Sequence, residues 1–142
     1  MVRLFRLRRK RLGESGQALV EFAIVAPILL LLVLGIVDFG RAFFTYHVLV
    51  DAAREGGRVA VVANTTTTID TVAHRINTLL STAGLDTANA TKTITGFHGG
   101  TGVPASVSIA YPYYIRWITP FLGWTNAQAA FTLNTHVTFR NE

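Results

Sequence analysis

Hydrophobic and polar positions divide this chain into three regimes. From Phe22 to Val37 sixteen residues carry no charge, and extending the run back to Gln17 gives twenty-one residues interrupted only by Glu21. At 1.5 Å per residue that is roughly the 30 Å of a bilayer core, so a transmembrane helix is expected there. Beyond Asp38 the apolar positions become periodic. Phe39, Phe43, Tyr46, Val50, Ala53, Gly57 and Ala60 recur at alternating spacings of four and three, the seam of an amphipathic helix. The membrane helix is therefore expected to continue outward to about Val62, with its seam burying Phe39, Phe43, Tyr46 and Val50 against a sheet or a sister helix. Asp38 with Arg41, Asp51 with Arg54 and Glu55 with Arg58 stand three apart, as charges do on a solvated helix face.

The polar, β-branched stretch Asn64 to Thr68 reads as a linker. Apolar residues then return at helical spacing from Ile69 to Ala83, before Gly84, and predict a second, short helix. After Gly84 the period changes from helical to alternating. Val103, Ala105, Val107, Ile109 and Tyr111 make one strand, and Phe131, Leu133, Thr135, Val137 and Phe139 another. A third is expected between Ala90 and Phe97. Pro104 and Pro112 push their strand toward a sheet edge or confine its regular part to the residues between them. The fold class is then α+β, with a long N-terminal helix extending into a small domain of one short helix and a three- to four-stranded antiparallel sheet. Its divisions are a basic segment 1–16, a helix 17–63 and an exported domain 64–142.

Charge refines this picture. Residues 1–16 hold six of the thirteen Lys and Arg and one of the eight acidic residues, so residues 17–142 carry seven of each sign and no formal net charge. The net charge of +5 therefore belongs to the N-terminal segment. A basic cluster before an apolar run fixes orientation, with the N-terminus cytoplasmic and the domain outside, rather than marking a nucleic-acid surface. No nucleic-acid partner is expected. The chain has no cysteine, which leaves no disulfide or thiolate chemistry. His47, His74, His98 and His136 stand at no recognisable metal-ligand spacing, and no catalytic constellation is visible, so neither a cofactor nor an enzymatic role is expected. Segment 113–124 is rich in aromatic residues; Trp117, Phe121 and Trp124 form a candidate contact patch, either packed beneath the domain or open to a subunit or the membrane.

The order of parts at the N-terminus decides between kinds of anchor. In a secretory signal peptide the small-residue cleavage site follows the apolar region, whereas here Gly13-Glu14-Ser15-Gly16 precedes it. That order resembles a prepilin leader. Cutting after Gly16 makes Gln17 the first residue, Glu21 the fifth and Phe22 the sixth, as such leaders require. More narrowly, GQALVEFAIVAPILLLLVLGIVDFGRAF followed by DAAREGGRVAVV resembles the N-terminal signature of TadE-like proteins, pseudopilins or minor pilins of the tight-adherence (Flp) branch of type IV pili. The resemblance implies a pilin-like fold in the bacterial cytoplasmic membrane, and partners that include a prepilin peptidase, other pilins, the assembly platform and the lipid bilayer. It also implies that Glu21 and Phe22 serve helix pairing in assembly. The competing reading is an uncleaved single-pass envelope protein whose exported domain binds a partner or surface.

Overall fold

The computed structural model describes residues 12–62, 67–117, 119–123, 125 and 129–141. The basic cluster of the leader, most of the linker and Trp124 lie outside the described residues. Helix α1 (Leu12–Val61) runs for 50 residues without interruption, through Pro27. It is followed by α2 (Ile69–Thr82), a single 3-10 turn at Thr87–Asn89, strands β1 (Thr91–Thr95) and β2 (Pro104–Tyr114), the short α3 (Thr119–Leu122) and β3 (Ala130–Arg140). The three strands form one antiparallel sheet in the order β1-β2-β3. This is the expected α+β arrangement, with three strands.

Local chemistry sets the ends of α2. The Thr68 hydroxyl accepts from the Thr71 amide at 3.2 Å while the Thr71 hydroxyl faces the Thr68 amide, a reciprocal cap that satisfies two otherwise orphaned donors. At the other end Leu85 N donates to Leu80 O and Gly84 N to Ser81 O, both at 2.9 Å. The turn between them needs a positive φ, which Gly84 supplies at 76°.

Register puts alternate side chains of the sheet on one face. Val107 pairs with Ile94 on one side and Val137 on the other, and Ile109 with Lys92 and Thr135. Onto this face pack α2, through Val72, Ile76 and Leu80, and the outer half of α1, through Leu49, Ala52, Ala53 and Ala60. The outer half of α1 is thus part of the domain's core. Polar residues cover the opposite face, where His136 bridges the Ser108 hydroxyl (2.8 Å) and the Thr138 hydroxyl (3.1 Å).

Two expectations need correction. The strand containing Pro104 and Pro112 is the central one, not an edge. Proline is tolerated because Pro104 opens the strand and Pro112 lies outside the reach of β1, whose first residue, Thr91, pairs with Ala110. Asp38 does not stand on a solvated face either, being only 5% exposed. The pairs Asp51–Arg54 (3.8 Å) and Glu55–Arg58 (3.3 Å) do form on the exposed side, and Glu55 also receives Arg75 of α2 at 3.0 Å. Such surface pairs contribute at most about 1 kcal/mol each.

Candidate assembly surface

The inner half of α1 is bare. Gly16 has open space where a Cβ would go, and Gln17, Glu21 and Phe22 are exposed, as is nearly every residue from there to Val37. Phe22, Ile24 and Ile28 each leave about two thirds of their surface uncovered (66%, 66% and 65%). Burying apolar surface is the main stabilising term in folding, so a helix that leaves this much uncovered is built for a nonaqueous environment or for other helices. By length and composition the segment Gly16–Val61 contains a membrane-spanning stretch. Gln17 and Glu21, four apart, share one side of this helix.

The seam divides midway. Phe39 is 73% exposed, Phe43 56% and Tyr46 40%, whereas Val50 is half-buried and Ala53, Gly57 and Ala60 are buried. The first three therefore do not meet the chain's own sheet. Their rings are ordered along the helix instead, Phe39 against Phe43 at 6.3 Å and Phe43 edge-on to His47 at 4.4 Å. What the domain grips is the outer half of the seam, Ala53, Gly57 and Ala60, widened by Ala52 and Gly56 beside it, small residues that let α2 and the sheet come close. A Cβ on Gly56 would lie 2.7 Å from the Ile76 side chain, and one on Gly57 2.2 Å from the Phe139 ring. Each glycine of the pair thus admits a different element.

Where the uncharged run ends, Asp38 fastens the domain to the helix. Its carboxylate accepts from the Arg116 amide (3.4 Å) and the Trp117 amide (3.0 Å), and the Tyr113 hydroxyl donates to its backbone carbonyl (3.1 Å). A buried carboxylate is costly unless its oxygens are hydrogen-bonded, and these amides supply that need. Burial, and secondarily the Asp38 charge, push the Tyr113 hydroxyl above its ordinary pKa, so it remains a neutral donor. The loop beyond is closed at its base by Ile115 N to Ala129 O at 3.0 Å. Within it Trp117 (47%) and Phe121 (57%) are exposed rather than packed beneath the domain.

Sequence reasoning placed Ala53, Gly57 and Ala60 on the seam but missed the Asp38 clasp and the part of Ala52 and Gly56, although these lie in the segments Asp38-Phe39-Gly40-Arg41 and Ala52-Ala53-Arg54-Glu55-Gly56-Gly57-Arg58 that carry the family resemblance. Residues 16–58 match the family model described as TadE-like protein. The long helix is thus a TadE-like one. The match takes in the bare inner half, Asp38 of the clasp and the glycine pair, and stops before α2 and before the clasp's partners on β2 and the loop after it. No curated protein and no solved structure matches the chain.

Proposed function

We propose that this chain is a non-enzymatic minor pilin or pseudopilin, matured by removal of residues 1–16, that takes part in assembling a tight-adherence pilus. One observation carries the reading: a TadE-like helix whose inner half, with Glu21 on it, is covered by nothing among the described residues, while a compact domain packs on the outer half. In the membrane lipid covers such a helix, and in a pilus the helices of neighbouring subunits do. Exposed Phe39, Phe43 and Tyr46 extend that uncovered face beyond the bilayer core and supply packing against a sister helix. A prepilin peptidase, the other pilins and the assembly platform are the partners this function requires.

Processing supplies the direct test. In cells that hold a prepilin peptidase, the intact mass of the purified protein should correspond to a chain beginning at Gln17. Gly16→Val should leave the precursor uncut, because a branched side chain obstructs the close approach a peptidase makes to the bond. A mature protein still beginning at Met1 in those cells would overturn the maturation and favour the uncleaved anchor.

The seam makes a second prediction, sharpened by the exposure of Phe43. Phe43→Asp should leave the domain's melting temperature nearly unchanged, since no core contact is lost, but should abolish cysteine crosslinking between α1 helices at position 39. A charge placed in a helix–helix contact is unpaired and desolvated there. Undiminished crosslinking in Phe43→Asp would show that this stripe faces no sister helix.

A further inference from the structure

The clasp at Asp38 fixes the height of a second feature. Asp38 is the residue next to Val37, so the amides of Arg116 and Trp117 that it holds lie level with the end of the uncharged run. Residues 17–37 span about 31 Å at 1.5 Å per residue, close to the thickness of the hydrocarbon core, and the headgroup layer adds about 5–7 Å on each side. The loop after β2 therefore sits within the headgroup layer. There it exposes Trp117 (47%), Phe121 (57%) and Leu122 (42%).

Charge at this level agrees with a lipid surface. Exposed Arg41 and Arg116 line one groove of about 420 Å³ with Tyr111, Pro112 and Tyr114, and the one carboxylate in its lining, Asp86, is taken up by the Ala88 amide and the Asn89 side chain, both at 3.0 Å. A contiguous groove, sharing Arg41, is walled by Val37, Gly40 and Phe44 of the helix itself. Apolar walls that continue the membrane span and open onto two guanidinium groups suit a phospholipid, with acyl carbons below and phosphate above. Aromatic rings favour this zone because one part of the ring system wants hydrocarbon and the other water, and arginine side chains reach phosphates from it.

We propose that segment 115–122 seats the exported domain on the bilayer, Trp117, Phe121 and Leu122 entering the headgroup layer and Arg41 and Arg116 lying over lipid phosphates. The domain then stands at a fixed height on its own membrane, locked through Asp38 rather than hinged on a helix. This inference rests on the single-pass topology and is independent of pilus assembly.

Depth-dependent fluorescence quenching tests it. The full chain carrying Trp124→Phe, which leaves Trp117 the sole indole, is reconstituted at low protein-to-lipid ratio into vesicles of phosphatidylcholine and phosphatidylglycerol. Trp117 emission should be blue-shifted from that of a water-exposed indole, quenched more by lipids brominated near the headgroup than by lipids brominated near the chain terminus, and shielded from acrylamide. Because the chain has no cysteine, a nitroxide on Leu122→Cys gives an independent depth from its relative accessibility to oxygen and to a water-soluble nickel complex. Adding Asp38→Ala should release the loop and reduce the shallow-bromine quenching. An indole open to acrylamide and unquenched by either bromolipid, with a nitroxide reporting bulk water, overturns the seat. Shielding that appears only as protein concentration rises overturns it in favour of a subunit contact. Equal quenching with and without Asp38→Ala overturns the lock.

Discussion

Replacing Gly56 by leucine should unfold or strongly loosen the C-terminal domain. A Cβ at Gly56 would stand 2.7 Å from both Cγ1 and Cδ1 of Ile76, and Ile76 is fully buried, with no solvent side to turn toward. The whole leucine side chain must then push α2 away from α1, separating Val72, Ile76 and Leu80 from Leu49, Ala52 and Ala53. Overpacking of a closed core costs roughly 1–3 kcal/mol, occasionally more. In a domain of this size each kcal/mol corresponds to about 4–8 °C in Tm. Gly57→Leu should cost less. The Phe139 ring it meets is only half-buried and can swing outward, and Phe139→Ala should restore part of the loss. Gly40→Ala is the control, because nothing lies within 4 Å of its Cβ position and alanine is the better helix former by up to about 1 kcal/mol. Thermal melts and protease resistance in detergent check the order. A Gly56→Leu protein as stable as Gly40→Ala would mean that α1 and α2 are not packed as described.

These residues also show what was legible in the sequence. Hydrophobic period carries the signal for an element that buries bulk, so the membrane span, α2 and the alternating strands could all be read directly. The contact between helix and domain uses small residues instead. Ala52, Ala53, Gly56 and Gly57 contribute closeness rather than hydrophobicity, while the bulkier stripe of Phe39, Phe43 and Tyr46 dominated the pattern and faces away from the domain. Asp38 was obscured for a different reason. Its partners are the amides of Arg116 and Trp117, almost eighty positions away, and backbone donors leave no trace in side-chain patterning. Pro112 misled because a β-strand interior is a poor place for proline only where both neighbours are present. Here β1 begins at Thr91, the partner of Ala110, and leaves that side of Pro112 without a strand. Of the candidate site, Gly16, Gln17, Glu21 and Phe22 were named from the leader-like order of parts and the resemblance it carries, whereas the clasp required the fold.

Glu21→Ala should abolish the protein's contribution to piliation while leaving its folding, insertion and processing intact. Glu21 is exposed on a part of α1 that no other described element reaches, and in the proposed assembly its carboxylate takes its partner from the new N-terminus or from another molecule. The proposed removal of residues 1–16 would supply one: a positive α-amino group at Gln17, four residues away and roughly 6 Å along the same side of the helix. Either charge alone is unfavourable at the edge of an apolar layer; a carboxylate near the middle of a membrane helix costs about 2.5–3.5 kcal/mol, and less toward an end. Set against each other between neighbouring subunits, the two charges become one pair that also fixes the axial register of the helices. Removing one member of a buried pair costs about 3–5 kcal/mol, because the other is left uncompensated. The alanine variant should therefore enter the membrane at least as well as the parent, melt at the same temperature and show the same processed mass, yet fail to crosslink to pilus subunits. Glu21→Gln should behave likewise, since its size is kept and its charge is not. Normal piliation in cells whose only copy carries Glu21→Ala would refute the pairing and leave Glu21 as a residue reaching the cytoplasmic interface of an uncleaved anchor.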